Sequence, residues 1–439
     1  MHKSTKQPHR GLLCAKHCKG SQGSYCSFPL NLAAQMQASI PIDWSQWQAI
    51  IELPQWKGFR MLWRPNSERP MLALGARVTT HDVGDSKLKG DWWFGYISYN
   101  LKNHFEKLET RIPHPMSFSD VAFFSPELLI EFSGSSWNAV IDYTDGSWID
   151  FFGKNCSTSA SQDKPKWEPL QTADHYKSIV NRLKQHIQMG DIYEVNYCQT
   201  FEARYELEKP FSLFQKINNH TQAPYAAYLQ WNQLHVLCAS PEQFLSKKGS
   251  KLVSSPIKGT IKRGVNAEED EQLKTQLLHD PKERAENVMI VDLVRNDLSR
   301  LASKGSVRVE DLFGIYSFKT VHHMISTISC EMKEDYSLRE ILNATFPMGS
   351  MTGAPKIRAM QLIDEYESAS RGVYSGSLGV ITPEGDMDWN VVIRTLLYDE
   401  EIKMIRCTVG GAITSLCDAE SEYQECLLKG KAVMHLPFD

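Results

Sequence analysis

The chain has 439 residues, of which 42% are hydrophobic, and a formal net charge of -4. This length allows two or three domains around a large core, and the interspersed charges include no basic stripe typical of nucleic-acid-binding proteins. No apolar run approaches membrane-spanning length. We therefore expect a soluble, cytoplasmic protein without a nucleic-acid or membrane partner, and the ten scattered cysteines suit a reducing compartment.

The N-terminal segment differs from the rest of the chain. Residues 1–28 are polar and basic, and they contain His9, Cys14, His17, Cys18 and Cys26. The paired Cys-x-x-Cys spacing of a zinc site is missing there. We interpret the segment as a disordered leader or an over-extended start of the chain.

Residues 29–165 have the pattern of short β-strands. Aromatic and aliphatic runs are separated by turn residues, and they lie at 59–63, 71–75, 92–97 and 128–132. A loop rich in Ser, Lys and Asp follows at 157–165. We divide the chain there into an N-terminal β-rich region, 29–165, and a C-terminal region, 166–439.

Helices and strands alternate in the C-terminal region. Ile179, Leu183 and Ile187 follow a helical period over 173–189, and Gly190 ends that helix as a C-cap. Strands are predicted next at 191–199, 225–229, 235–239 and 252–257. Glu242 directly follows one of them in a Ser-Pro-Glu motif, which in isolation is more often a solvated turn than a buried acid.

Lys258 follows the last of these strands and is adjacent to Gly259. The missing side chain at Gly259 lets backbone or a ligand come close to the lysine amine. A lone lysine at a strand end is usually a surface residue. To act as a nucleophile instead, Lys258 needs a site that lowers its pKa, by desolvation or through a neighbouring cation.

Two predicted helices each carry a pair of glutamates three residues apart. Glu283 and Glu286 lie near the start of a helix over 282–298, and Glu422 and Glu425 lie on a helix near the C-terminus. Acids in a first turn can simply complement the helix dipole. Two facing pairs, however, would form an oxygen-rich site that suits Mg²⁺.

Two glycine-rich turns lie between these acid pairs in the sequence. Thr352 and Gly353 belong to a turn that opens a helix, and Gly410 and Gly411 follow a predicted strand over 402–409. Exposed backbone N–H groups at such turns would suit an anion, although the spacing of a P-loop is missing. The residues together predict a magnesium-dependent site for a small polycarboxylate, with a lysine beside it.

The chain resembles the chorismate-utilising enzymes, a family that includes anthranilate, aminodeoxychorismate, isochorismate and salicylate synthases. The resemblance begins near residue 173, and its motifs are PIKGT at 256–260, KERAENVMIVDLVRND at 282–297, TGAPK at 352–356 and RGVYSG at 371–376. It implies an α+β fold with two large, mostly antiparallel β-sheets packed face to face and helices outside. Region 166–439 would then be the chorismate-binding catalytic domain.

The resemblance also implies a role for each acid. Glu286 and Glu425 would bind Mg²⁺ directly, and Glu283 and Glu422 would act through its waters. Glu242 would be the general acid that protonates the departing C4 hydroxyl of chorismate.

The substrate would be held by residues from other parts of the chain. Tyr374 and Arg394 would bind the enolpyruvyl carboxylate, for which an arginine fork is well suited. His323 would line the reacting edge of the ring, with His322 as a neighbouring histidine. The ring carboxylate would lie at the backbone of Gly410 and Gly411, and Thr352 and Gly353 would contribute to substrate binding.

Two positions distinguish members of the family. Isochorismate and salicylate synthases carry a lysine, which activates water, where this chain has Glu194. Anthranilate synthases usually carry alanine where this chain has Lys258. Aminodeoxychorismate synthases have the lysine, which attacks C2 while the C4 hydroxyl leaves, after which ammonia attacks C4. The resemblance at Lys258 therefore implies amination of chorismate at C4.

Two alternatives stay open, namely anthranilate-type amination and a non-catalytic scaffold that docks a glutaminase. The chain lacks a recognisable glutaminase motif of its own, so ammonia would come from solution or from a separate glutamine amidotransferase subunit. The chain also departs from the family pattern, with Glu194 where glutamine is usual, Ser255 where arginine is common and an altered segment at 412–417.

Overall fold

The computed structural model describes residues 43–134, 136–154, 164–435 and 438. The predicted leader at 1–28 lies outside the described residues, as does most of the predicted loop at 157–165. Across these ranges, no helix is both long enough and apolar enough to cross a membrane. The six cysteines within them are free and buried.

The described residues contain strands and helices from end to end. The strands are β1 (Phe59–Trp63), β2 (Met71–Leu74), β3 (Val78–Thr80), β4 (Trp93–Ile97), β5 (Val121–Ser125), β6 (Leu128–Ser133), β7 (Ser136–Asp142), β8 (Glu168–Pro169), β9 (Glu194–Arg204), β10 (Tyr225–Trp231), β11 (Leu234–Ser240), β12 (Gln243–Lys248), β13 (Lys251–Ser255), β14 (Ile257–Lys262), β15 (Arg308–Ser317), β16 (Val321–Glu331), β17 (Gly353–Ala354), β18 (Ser377–Ile381), β19 (Met387–Asn390), β20 (Thr395–Asp399) and β21 (Met404–Ile413). The helices are α1 (Gln48–Ile51), α2 (Ala173–Gln188), α3 (Pro210–Thr221), α4 (Ala267–His279), α5 (Pro281–Ser299), α6 (Leu338–Thr345), α7 (Lys356–Tyr366) and α8 (Ala419–Met434).

The strands form two large antiparallel sheets. Sheet A has the order β17-β9-β21-β20-β11-β10-β1-β2-β6-β7, and β8 also pairs with β9. Sheet B has the order β14-β16-β13-β12-β19-β18-β4-β5-β3, and β15 also pairs with β16. The α+β fold with two antiparallel sheets is confirmed. The division of the chain near residue 165 stays a prediction, and strands from both sides of it share each sheet, as in the pairs β1–β10 and β4–β18.

The sheets pack face to face because their strands are apolar on both sides. Along β4, Phe94 and Tyr96 point into a cluster between the sheets, whereas Trp93 and Ile97 point into a cluster beneath α5 and α6. A third cluster lies between sheet A and the helices α2, α3, α7 and α8. Strands covered on both faces read as nearly continuous apolar runs. Burial on both faces explains why the predicted strands read as short apolar runs and not as alternating apolar and polar residues.

Local signals in the sequence set the element boundaries. The helix predicted over 173–189 is confirmed in α2, and Gly190 follows it with a φ of +83°. The helix predicted over 282–298 is confirmed in α5, where the Asp280 carboxylate accepts hydrogen bonds from the first turn. The strand predicted over 252–257 is split into β13 and β14 at Pro256, which has no N–H to donate to a sheet.

A buried ion pair joins the two sheets. Arg64 directly follows β1 of sheet A, and its Nη1 lies 2.6 Å from Oδ2 of Asp388 in β19 of sheet B. Their side chains are only 3% and 1% exposed. The Arg64 guanidinium also lies 4.4 Å from the centre of the Tyr225 ring. Each charge therefore depends on the other for its compensation inside the core.

Replacing Asp388 by alanine should lower the free energy of unfolding by about 3–5 kcal/mol, because the Arg64 charge would stay buried and lose the Asp388 carboxylate. Urea unfolding measures this loss. Glu271→Ala is the control, since Glu271 pairs with Lys274 at the surface and is 71% exposed; it should cost no more than about 0.5 kcal/mol. Equal costs for the two variants would contradict this role of the ion pair.

Candidate active site

A cavity of about 380 Å³ lies where both sheets meet the first turns of α5 and α8. Its volume is within the range of sites for small organic ligands. The predicted site residues that line it are Glu242, Lys258, Glu283, Glu286, His323, Tyr374, Arg394, Gly410, Glu422 and Glu425. These residues come from distant parts of the chain, and the fold brings them together.

Three predicted substrate-binding residues do not line this cavity. Gly353 pairs with Val195 in sheet A, and Gly411 pairs with Tyr197. The side chain of Thr352 is fully buried. The exposed N–H group expected at Thr352 is a wrong prediction, because this N–H donates to the carbonyl of Gly349. A short helical turn there satisfies the backbone internally, so that residue is not a ready anion site.

Lys258 is buried at the cavity and forms an ion pair. Its Nζ lies 2.5 Å from Oε1 of Glu194, and the two side chains are 10% and 2% exposed. The neighbouring Gly259 has a φ of +101°, and a Cβ there would lie 3.1 Å from Cβ of Met324. The surface-lysine alternative is therefore wrong. The positive φ and the crowding at Gly259 favour glycine there, and the expected approach of backbone or a ligand to the lysine amine stays a prediction.

The expected lowering of the Lys258 pKa is not found. Burial alone would lower the pKa of Lys258, but the carboxylates of Glu194, Glu286 and Glu242 outweigh burial and raise it. The sequence motif showed the lysine and not the acids that the fold places around it. The amine is therefore held as an ammonium.

Glu242 is a buried acid that follows β11. Its side chain accepts a hydrogen bond of 2.6 Å from the hydroxyl of Ser350, and the residue is 3% exposed. Burial raises the pKa of Glu242 to about 7, even though Ser350, Lys258 and Arg394 oppose the shift. The solvated-turn interpretation of the Ser-Pro-Glu motif is therefore wrong. Near neutral pH this carboxyl group can hold a proton and release it, as a general acid must.

His323 and Arg394 form the polar wall on another side of the cavity. Nη2 of Arg394 lies 3.4 Å from Nε2 of His323, whose Nδ1 lies 2.8 Å from the hydroxyl of Thr260. Arginine only donates, so Nε2 accepts and Nδ1 carries the proton. Burial, and next Arg394, lower the pKa of His323 well below its usual value, which keeps the ring neutral.

The adjacent His322 points away from the cavity. Its ring nitrogens lie 2.8 Å from the Ser317 hydroxyl and 2.9 Å from the Asp270 carboxylate. Successive residues of a strand face opposite sides, so only one histidine of β16 can reach the cavity. Geometry thus distinguishes His323 from its neighbour.

Arg394 and Tyr374 are arranged to receive an anion. Among the described residues, no carboxylate lies within ion-pair distance of the Arg394 guanidinium. Burial raises the pKa of Tyr374 well above its usual value, so its hydroxyl stays protonated and can donate. A buried cation that forms no ion pair with the described residues favours a bound carboxylate at this end of the cavity.

The two acid pairs face each other across α5 and α8. Nζ of Lys282 lies 3.9 Å from Oε1 of Glu286 and 3.6 Å from Oε1 of Glu422, so one lysine bridges the two helices. Burial raises the pKa of Glu286 to about 7 and also raises the pKa values of Glu283 and Glu422. Glu283, Glu286 and Glu422 therefore lack sufficient positive charge around them, and a cation would stabilise their ionised forms. At Glu425, burial is outweighed by the ammonium of Lys429, 2.7 Å away, which lowers the pKa of that carboxyl group.

The donor set fits a hard divalent cation. Carboxylate oxygens are the ligands that Mg²⁺ prefers, and Oε1 of the buried Glu286 has no hydrogen-bond partner. As they stand, no three acidic, histidine or cysteine side chains in the described ranges converge closely enough to hold a metal. Lys282 lies between the helices, where it supplies a positive charge, and its side chain is 44% exposed.

Sequence reasoning missed three residues that shape the site. Ser350 bonds Glu242, Thr260 orients His323, and Lys282 bridges the acid pairs. Thr260 lies directly opposite His323 in the β14–β16 pair, a register that the sequence alone does not reveal. For Lys282, the one signal in the sequence that it belongs to the site is its position directly before Glu283.

Comparison with known proteins agrees with this geometry. A family model described as chorismate binding enzyme matches residues 50–435. The chain belongs to this family. Family membership confirms the resemblance seen in the four sequence motifs.

The relatives include an anthranilate synthase component and an aminodeoxychorismate synthase component. Anthranilate synthase component 1 of Aquifex aeolicus is 39% identical over 62% of this chain, which spans just over half, 54%, of that protein. Aminodeoxychorismate synthase component 1 of Klebsiella aerogenes is 33% identical over 78% of this chain and 76% of that protein. The crystal structure of anthranilate synthase component I from Streptococcus pneumoniae TIGR4 shares the fold, with a TM-score of 0.73, 24% identity, and coverage of 84% and 92% of the two chains.

The raised pKa of Glu242 predicts a pH-dependent effect on the stability of this chorismate-binding enzyme. A carboxyl group whose pKa rises on folding stabilises the fold while it is protonated, and this contribution is lost as pH rises from about 4.5 towards about 7. Glu242→Gln should therefore be more stable than the wild type by about 3 kcal/mol near pH 8.5 and nearly equal to it near pH 4.5. Urea unfolding at both pH values measures the difference. A pH-independent difference would contradict the buried-acid assignment.

Proposed function

We propose that this protein converts chorismate and ammonia to 4-amino-4-deoxychorismate, as component I of an aminodeoxychorismate synthase. The observation that carries the proposal is Lys258, whose buried amine lines the same cavity as the acid Glu242. Several curated relatives are aminodeoxychorismate synthases, from Klebsiella aerogenes among others. The product would be used to make para-aminobenzoate and folate.

The chain's own residues can perform both halves of the reaction. The amine of Lys258 attacks C2 of chorismate, the ring double bonds shift, and the C4 hydroxyl leaves as water with the proton of Glu242. Ammonia then attacks C4, the bond between C2 and the lysine breaks, and the new ammonium returns a proton to Glu242. Covalent attachment divides one difficult displacement into two easier steps.

Other residues would bind and orient the substrate. Arg394 and Tyr374 would hold the enolpyruvyl carboxylate, and the neutral His323 would contact the ring edge without adding a charge. Mg²⁺ would be held by Glu286 and Glu425 directly, and by Glu283 and Glu422 through water. When bound, it would neutralise the ring carboxylate near Gly410.

The partner and location extend this proposal. Ammonia would be supplied by a glutamine amidotransferase subunit, component II, or would come from solution. A cytoplasmic location stays a prediction. The rival function is that of anthranilate synthase component I, and the relative from Aquifex aeolicus supports it. A non-catalytic scaffold would have no need for a buried lysine and a buried acid in one cavity.

Lys258→Ala should reduce formation of 4-amino-4-deoxychorismate by at least about a hundredfold, because the covalent route is lost. Some direct amination at C2 can survive in the emptied space. Lys262→Ala is a matched control on the same strand, where Lys262 is 73% exposed, and it should keep wild-type activity.

Mass spectrometry tests the covalent step itself. Wild-type protein mixed with chorismate and Mg²⁺, without ammonia, should gain the mass of the adduct, and peptide mapping should place it on Lys258. An unmodified wild type, together with a fully active Lys258→Ala variant, would reduce Lys258 to a positioning charge.

The metal assignment predicts that Glu286→Ala or Glu425→Ala abolishes turnover through loss of Mg²⁺, since water would replace a charged ligand. Titration calorimetry with Mg²⁺ should show weakened binding, and added Mg²⁺ should restore little activity. Glu420→Ala on the same α8 helix is the control, because Glu420 is 54% exposed and pairs with Lys177. Wild-type Mg²⁺ dependence in both site variants would overturn the assignment.

A further inference from the structure

The carboxyl group of Glu242 lies between two hydrogen-bond donors. The hydroxyl of Ser350 donates to Oε1 over 2.6 Å, and the backbone N–H of Ile257 also bonds the carboxyl group. Both side chains are buried, since Glu242 is 3% exposed and Ser350 is 7% exposed. Donors to a buried carboxyl group favour its ionised form, so they oppose the effect of burial.

The turn that carries Ser350 is itself held by buried side chains. Ser350 lies in the short helical turn Gly349–Met351, and its carbonyl accepts a hydrogen bond of 3.3 Å from Nδ2 of Asn196. The next carbonyl, that of Met351, accepts a hydrogen bond of 2.6 Å from Nη1 of Arg371. The hydroxyl is therefore presented to the carboxyl group from a backbone that is fixed on both sides.

The proposed reaction makes two demands on Glu242. Its proton has to be carried by a defined oxygen, and the carboxylate that remains after proton transfer has to be stabilised in a site removed from water. A donor to Oε1 meets both demands. The catalytic proton is then carried by Oε2, and the negative charge that develops is shared with the serine hydroxyl.

We propose that Ser350 is a positioning residue for the general acid, whose hydroxyl keeps the catalytic proton on Oε2 of Glu242 and stabilises the carboxylate once that proton has left. This inference rests on the proposed release of the C4 hydroxyl. As the lysine nitrogen bonds to C2, the proton passes from Oε2 to the C4 oxygen, and the C4–O bond breaks with its electron pair on the departing water. The new ammonium later returns a proton to Oε2, and Ser350 keeps its own proton throughout.

Ser350→Ala removes the hydroxyl and leaves the nearby charges in place. The charged and titratable groups around Glu242 and Lys258 are Glu194 of β9, Lys258 of β14, Glu286 of α5, His323 of β16 and Arg394 ahead of β20. The pKa of Glu242 should rise in the variant, because a hydrogen bond to the ionised form is lost. Adduct formation on Lys258 needs Glu242 in its protonated form. Its rate should therefore fall at a pH about one unit higher in the variant than in the wild type.

Rapid quenching with mass spectrometry measures adduct formation across neutral and alkaline pH, with saturating chorismate and Mg²⁺ and without ammonia. At its own pH optimum, Ser350→Ala should be slower than the wild type by about tenfold. Ser350→Thr keeps the hydroxyl and should keep the wild-type rate and profile. Ser246→Ala is the matched control, because Ser246 is 1% exposed in β12 and its hydroxyl has no hydrogen-bond partner across the described residues.

Infrared spectroscopy titrates Glu242 without any turnover. Each protein is compared with its Glu242→Gln counterpart, so that the difference spectrum contains the carboxylic-acid band of Glu242 alone. This band should disappear at a higher pH in Ser350→Ala than in the wild type, and at the wild-type pH in Ser350→Thr.

An unmoved infrared titration in Ser350→Ala would overturn the inference, as would a slower variant with the wild-type pH profile. A change confined to the half-saturating chorismate concentration would also overturn it, since the hydroxyl would then only bind substrate. Failure of the wild type to form any adduct, together with a shifted infrared titration, would count against the proposed function and not against the pairing of Ser350 with Glu242.

Discussion

The candidate active site depends on opposite charges that compensate one another inside one largely buried cavity. Glutamates from two helices and one strand end line it, and the cations beside them are Lys258, Lys282, Arg394 and Lys429. Removing ions from water is costly unless opposite charges or hydrogen bonds replace the lost hydration. Where opposite charges and hydrogen bonds do not fully replace the lost hydration, the pKa values of the buried groups shift. Glu242 and Glu286 titrate near neutral pH, the ring of His323 is neutral, and Lys258 is held charged.

Several features of the fold stabilise these closely spaced charges. The acids of α5 and α8 lie in or near the first turns of their helices, where the positive end of the helix dipole stabilises anions. The two large sheets hold the catalytic groups on strands and strand ends, and their apolar faces supply most of the stabilising burial. Ion pairs such as Arg64–Asp388 fix the sheets relative to each other. A site with little freedom to relax can keep unusual pKa values.

Much of the local structure could be predicted from the sequence. The N-cap at Asp280 and the C-cap glycine at 190 marked helices correctly, because capping depends on a few adjacent residues. The i, i+3 spacing of the glutamates brought out the acid pairs that line the cavity. The packing of the two sheets followed from the family resemblance, since strand periodicity says nothing about which distant strands pair.

Other properties depend on contacts that no sequence window contains. The pKa of Lys258 moved against expectation because residues 194, 242 and 286 meet it only in the folded chain. Thr352 was expected to have a free N–H, but this N–H donates a hydrogen bond to the Gly349 carbonyl within a short turn. Alternation along β16 would have favoured one histidine over the other, but the sequence does not state which face of the strand meets the cavity.

The most direct test of the proposed function is the product formed from chorismate, Mg²⁺ and ammonium by the purified protein alone. The account predicts that chorismate is consumed and that 4-amino-4-deoxychorismate accumulates, detected by chromatography with mass spectrometry, without the fluorescence of anthranilate. Fluorescent anthranilate formed in the absence of any partner lyase would contradict the account and favour the rival synthase. Failure to consume chorismate at high ammonium concentration would also contradict it and favour the non-catalytic scaffold.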